Sequence, residues 1–214
     1  MNGKSLTLSA LSPWFWLSVF TVFFYLMIRI TVQYIPFDAD IAFLRIKQYE
    51  VTSFPEYLPI FYIHVYSSIF VLLAGFTQFS SRILHKFPQV HRYNGRLYAY
   101  VVLLLSAPSG IYIGFHANGG LMAKISFVLL GALWFWFTWK GVESIRKREI
   151  IDHKKWMWRS FALAFSAITL RLWKVLIVFF FEPNPMDVYK IVAWLGWIPN
   201  LLLAEYLLTK KLRK

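Results

Sequence analysis

Six long apolar stretches alternate along the chain with shorter polar segments. They run approximately over 13–34, 58–79, 97–115, 122–139, 161–181 and 189–208. A helix needs roughly 20 mostly apolar residues to cross a bilayer, because hydrocarbon offers the backbone no hydrogen-bond partners. The pattern therefore predicts an all-α polytopic membrane helix bundle with six transmembrane helices, forming a single integral domain over residues 1–214. The first stretch is long enough to span and lacks a small-residue cleavage site after it, so it reads as helix one and not as a removed signal.

Lysine and arginine crowd every second polar segment. With a cytoplasmic amino terminus, the inner side carries Lys4, Arg82, Lys86, Arg92, Arg96, Lys140, Arg146, Lys147, Arg148, Lys154, Lys155, Arg159, Lys210, Lys211, Arg213 and Lys214, which is 16 of the 23 basic residues. The opposite side holds Asp38, Asp40, Glu50, Glu56, Glu182 and Asp187, with Arg45, Lys47, Lys124 and Lys190 as its basic residues. The excess of positive charge on one side predicts that both termini are cytoplasmic, and the expected location is a bacterial cytoplasmic (inner) membrane.

Residues 35–57 form the longest non-spanning segment, and their Ile41-Ala42-Phe43-Leu44 run suits a short interfacial helix capping the outer face. Asn118-Gly119-Gly120 and Pro183-Asn184-Pro185 are turn sequences, so helices three and four, and five and six, should form antiparallel hairpins. Pro108, flanked by Ser106, Ser109 and Gly110, should kink helix three.

The composition agrees. At 58% apolar and 20% aromatic, the chain has more hydrophobic surface than a soluble core of its size would hide, and the surplus faces lipid. The net charge of +13 raises nucleic acid as a partner, but the basic residues sit in short segments between apolar runs. Anionic headgroups fit that distribution better. With no cysteine, disulfides, thiolate metal sites and cysteine nucleophiles are excluded, leaving histidine and carboxylate as ligand types.

Polar side chains at membrane depth are costly and therefore mark candidate chemistry. His64 lies one to two turns below the outer surface on helix two, with Arg171 and Lys174 in the outer third of helix five and Arg29 near the end of helix one. No acidic residue is expected at that depth. Either Arg29 and Lys174 snorkel to headgroups, or the cations balance an anionic ligand; Arg171 is either a ligand-binding group or a donor to a neighbouring helix. His91 and His153 fall at the starts of helices three and five, at matching depth and each followed by arginine. They suit an anion or cofactor site, or else are solvated topology signals. Glu205 should pair with Arg96 or Arg159, the alternative being a proton-carrying group, and Asn200, beside Pro199, should hydrogen-bond between helices. Trp134, Trp136 and Trp139 suit partner or lipid contact.

Histidine is an axial ligand of b-type haem, and the chain has five: His64, His85, His91, His116 and His153. Pairing His64 with His116 would require a bent helix three, whereas His91 and His153 share a level. Zinc-hydrolase spacings are absent.

The phrases His91-Arg92-Tyr93-Asn94-Gly95-Arg96-Leu97-Tyr98 and His153-Lys154-Lys155-Trp156-Met157-Trp158-Arg159-Ser160 resemble a prokaryotic family of predicted membrane proteins, domain of unknown function 2306. So do His64 followed by Gly75-Phe76-Thr77-Gln78-Phe79, then Thr169-Leu170-Arg171-Leu172, then Trp197-Ile198-Pro199-Asn200 with Ala204-Glu205. The resemblance covers about 60–205 and places His64, His91, Arg92, Arg96, His153, Trp156, Arg159, Arg171, Asn200 and Glu205 in motif positions. It implies no settled activity. It favours His64 with Arg171 on the outer half and His91 with His153 on the inner half over the His64/His116 pair.

The sequence does not decide whether the chain is an enzyme. The leading expectation is histidine-based cofactor binding, b-type haem or quinone, in membrane electron transfer. His64, His91 and His153 are the candidate iron ligands, with Arg171, Arg92, Arg96, Arg159, Asn200 and Glu205 around the cofactor. The alternatives are a transporter or binding protein for an anionic small molecule or lipid, and a subunit or assembly factor of a larger membrane complex.

Overall fold

The computed structural model describes residues 13–78 and 81–212; Lys4, Phe79, Arg213 and Lys214 lie outside them. Among the described residues the chain is helical and has no strand. The helices are α1 (Pro13–Val32), α2 (Gln48–Ser53), α3 (Tyr57–Gln78), α4 (Ser81–Lys86), α5 (Pro88–Val101), α6 (Ala107–Phe115), α7 (Gly120–Arg146), α8 (Ile150–Ala164), α9 (Ser166–Phe181), α10 (Pro185–Leu195) and α11 (Ile198–Leu212).

Several follow one another without a loop. Tyr57–Gln78, Pro88–Phe115, Gly120–Arg146, Ile150–Phe181 and Pro185–Lys210 are five helices long and apolar enough to cross a membrane, with Thr21–Val32 of α1 as a shorter sixth apolar helix. Hydropathy alone starts the third and fifth spans late. Residues 88–96 and 150–160 are too polar to register as membrane sequence, yet they continue the same helices, with Pro88 in the first turn of α5 where its missing N–H costs nothing.

The bundle has two ends. The acidic end carries residues 35–56, 116–119 and 182–184, and the basic end carries α4, the 147–149 turn and the end of α11. The expected capping helix is there as a 3₁₀ turn, Ala42–Ile46, followed by α2. Tyr62 holds this cap by donating to Asp38 O at 2.8 Å, and Tyr66 donates to Tyr34 O at 2.6 Å. The α6–α7 turn passes through Gly119 at φ +82°, a left-handed conformation that suits glycine.

The core runs through the middle of the bundle, where Val71, Ala74, Tyr98, Val102, Ala107, Trp134, Leu163, Ala164 and Trp197 pack together. Helices of a membrane bundle approach closely where side chains are small, and hydroxyls then join them. On α7, Gly131, Trp134, Thr138 and Gly141 form the buried face. Thr138 Oγ1 meets Ser160 Oγ at 2.7 Å, Ser160 Oγ meets the Tyr98 hydroxyl at 2.8 Å, and all three residues are buried. Of the three tryptophans expected at a lipid or partner surface, Trp136 and Trp139 are exposed there, whereas Trp134 is buried with its indole N–H 3.4 Å from the Tyr98 hydroxyl.

Candidate functional site

Among the described residues, three clusters of polar side chains gather most of the candidate chemistry. The first surrounds His64. In place of a simple proline kink, the α5–α6 junction is a π-helical segment, Val102–Ser106, whose Val102 carbonyl is taken by the N–H of Ala107, just ahead of Pro108. Such an insertion leaves backbone groups to find other partners. His64 Nδ1 donates to Ser106 O at 3.0 Å, with Ser109 Oγ 3.3 Å away, while Ser67 and Ser106 hydroxyls meet at 2.7 Å. A carbonyl only accepts, so Nδ1 carries the proton and Nε2 keeps its lone pair. Gly110 makes room for the ring: a Cβ there would lie 2.9 Å from His64 Cε1.

His116 is not part of this cluster. It ends α6, with its Nδ1 3.1 Å from Tyr112 O and its ring among Phe54, Tyr57 and Tyr112. Arg171 lies within Coulombic range of His64 and of Tyr34. It stands ten residues, about 15 Å, from the Phe181 end of α9 and about 18 Å from Arg159. Within the 32-residue span Ile150–Phe181 it therefore sits at the inner edge of the outer third.

The second cluster is at the basic end. His91 and His153 sit in the first turns of α5 and α8 and lie within Coulombic range of one another. His153 Nδ1 donates to Gly141 O at 2.8 Å, again leaving Nε2 as an acceptor. His91 Nδ1 is buried and has no hydrogen-bond partner. Arg159 resolves the Glu205 alternatives: its Nε and Nη2 both reach the Glu205 carboxylate, the latter at 2.9 Å, and its guanidinium lies 4.7 Å from the Trp156 ring. Arg96 instead lies with Arg92 on an exposed groove of about 690 Å³ with Gln89, Tyr93 and Asn94, and among the described residues neither arginine has a carboxylate partner.

Asn200 has a structural position. The fifth and sixth spans both break at one level, between α8 and α9 and between α10 and α11. Asn200 Nδ2 donates to Thr169 Oγ1 at 2.9 Å, to Gly196 O at 3.2 Å and to Ala162 O at 3.2 Å, and Thr169 donates to Gly196 O at 2.5 Å. It clamps the two breaks together, the interhelical role expected of it.

The candidate iron ligands do not converge as a trio. His64 packs against Ser106, 15 residues and roughly 23 Å of helix away from His91. Among the described residues there is no group of three or more His, Asp and Glu side chains that could hold a metal ion.

The third cluster centres on a lysine that in sequence is one of the basic loop residues of the acidic side. Lys47 is 1% exposed, and its ammonium donates to Glu50 Oε1 at 2.6 Å, to Asn118 Oδ1 at 2.6 Å and to the carbonyl of His116. It fastens the cap to the α6–α7 turn. Beside it, the N–H of Glu56 and the Tyr112 hydroxyl, 2.9 Å from Oε1, hold the Glu56 carboxyl below the usual carboxylate range.

A family model described as "Predicted membrane protein (DUF2306)" matches residues 61–208. The match takes in every candidate from His64 to Glu205 and leaves α1 and the Lys47 segment outside it. No curated protein and no solved structure matches the chain.

Proposed function

The chain belongs to the DUF2306 family of predicted membrane proteins, and we propose that it carries electrons within the membrane through a b-type haem held between His91 and His153. The observation that supports this reading is the buried, unpartnered ring nitrogen of His91 beside an anchored His153 on a separate span. A buried polar atom left unpaired is costly, and a ligand from outside the chain relieves that cost.

The carbonyl of Gly141 fixes the His153 tautomer and points its remaining lone pair away from the backbone, the arrangement that orients and strengthens an imidazole ligand. A b-type haem supplies one-electron redox chemistry when bound. Arg92 and Arg96, which lack carboxylate partners among the described residues, offer guanidinium groups to acidic edge substituents. Arg159, already neutralised by Glu205, holds α8 against α11. The same histidine pair would serve a quinone–quinol couple, one imidazole donating to a quinone carbonyl and the other accepting from a quinol hydroxyl, and this is the runner-up.

The test is the reduced-minus-oxidised absorption spectrum of detergent-purified protein, with His91→Ala and His153→Ala. Wild type should show a Soret band with sharpened visible bands on reduction, and each variant should lose it. A colourless wild type that takes up no added haemin removes the haem reading; a co-purified quinone lost in both variants would replace it.

We place the chain, as one membrane domain, in a bacterial cytoplasmic membrane with both termini inside, because the basic end holds most of the positive charge. A natural absence of cysteine makes the orientation directly measurable. In intact cells an impermeant maleimide should label Asn184→Cys and spare Lys86→Cys until lysis. The reverse pattern would invert the topology.

A further inference from the structure

Beyond Ile168 no residue of α9 is buried. The helix flank there is apolar and outward, with Val175 at 64% and Phe179 at 75% exposure, and it carries Arg171 and Lys174, one turn apart and both exposed. Among the described residues neither cation has a carboxylate partner. The chain has ten acidic residues. Asp38, Asp40, Glu50, Glu56, Glu182 and Asp187 belong to the acidic end, and Glu143, Glu149, Asp152 and Glu205 to the basic end. A second copy in the same bilayer therefore brings no carboxylate to the level of Arg171.

Snorkelling does not account for Arg171. A snorkelling stem runs toward the nearer membrane surface. Arg171 Nη1 instead donates to the carbonyl of Ala167, one turn back toward the middle of the span and away from Phe181. One backbone acceptor leaves most of its five N–H donors unused. Across from it, Ile168 closes against Leu72 and Met27, and His64 and Tyr34 lie within Coulombic range.

We propose that this flank of α9 is an anionic-lipid site, in which Arg171 takes the phosphate through its planar fork, Lys174 adds a second charge on the approach from the acidic end, and the exposed apolar side chains carry the acyl chains. Two cations drawing one phosphate below its neighbours is the local thinning by which intramembrane arginine is relieved, and Arg is the side chain whose geometry grips phosphate with two parallel bonds. The proposal is independent of the haem at the basic end.

The test titrates phosphatidylglycerol and phosphatidylcholine onto the purified full-length protein in neutral detergent and reads bound lipid by native mass spectrometry. Wild type should hold phosphatidylglycerol at least tenfold more tightly than phosphatidylcholine. Arg171→Gln should bring the two within about threefold, Lys174→Gln should give an intermediate value, and Arg171→Lys should keep the charge but lose part of the preference. An unchanged preference in Arg171→Gln, or none in wild type, overturns the proposal. If Arg171→Gln does not fold, the Arg171→Lys and Lys174→Gln arms decide by the same criterion. Displacement of the lipid by millimolar inorganic phosphate would show a site for a soluble anion and would also overturn it. The haem spectrum should be unchanged throughout.

Discussion

Lys47→Met is expected to lower the unfolding free energy by about 3 kcal/mol, the scale of removing one partner from a buried ion pair. The ammonium is 1% exposed and serves three acceptors on two segments far apart in sequence. Methionine fills the same channel but leaves the Glu50 carboxylate, the Asn118 side-chain oxygen and the His116 carbonyl without their donor. The cap should then part from the α6–α7 turn while the spans remain inserted. Thermal unfolding in detergent, followed by tryptophan fluorescence, reads the change. Adding Glu50→Gln to Lys47→Met should restore part of the loss, because removing both charges of a buried pair costs less than removing one. A single variant within about 0.5 kcal/mol of wild type, the range of ordinary surface substitutions, would show that Lys47 is only a loop cation.

Gly114→Val should be nearly as damaging, at the upper end of the ~1–3 kcal/mol typical of overpacking. A Cβ on Gly114 would lie 3.1 Å from Val128 N and 3.2 Å from Phe127 C. These are backbone atoms of α7, so no side chain can rotate aside and the two helices must separate. The contrast is Gly110, where the atom met belongs to a side chain, the His64 ring, and not to a neighbouring backbone. Gly110→Ala should therefore leave stability closer to wild type than Gly114→Val in the same unfolding measurement. Equal stability of Gly114→Val and wild type would mean that α6 and α7 do not approach as closely as this geometry requires.

Much of the fold could be read from hydropathy because the hydrocarbon requirement is one-dimensional: a run is long and apolar enough or it is not. The same measure misplaced the beginnings of the third and fifth spans, since a helix continues through polar turns that hydropathy does not register as membrane sequence. Depth along a helix was also largely legible. It brought His91 and His153 to one level and offered Glu205 the choice between Arg96 and Arg159, which the structure settles for Arg159.

What depth does not contain is rotation about the helix axis. Trp134, Trp136 and Trp139 look alike in sequence, yet one is buried on a hydroxyl and two face outward. His64 stands out in sequence as a costly group, but its partner is the carbonyl that ends a π-helical turn 42 residues later, and only the neighbourhood of Ser106, Pro108 and Ser109 hinted at that irregularity. Lys47 was hidden for the opposite reason. It stands in a polar loop, where lysine raises no question, and its one signal was the scarcity of cations on that side of the chain.

The electron paramagnetic resonance spectrum of the oxidised wild-type protein tests the proposed histidine pair most directly, because ferric haem held by two imidazoles is low-spin, whereas one imidazole with water or no sixth ligand leaves it high-spin. The account predicts a low-spin ferric signal that vanishes in both His91→Ala and His153→Ala and persists in His64→Ala. A high-spin signal, an iron-free protein, or a signal lost with His64 in place of the other two would contradict it.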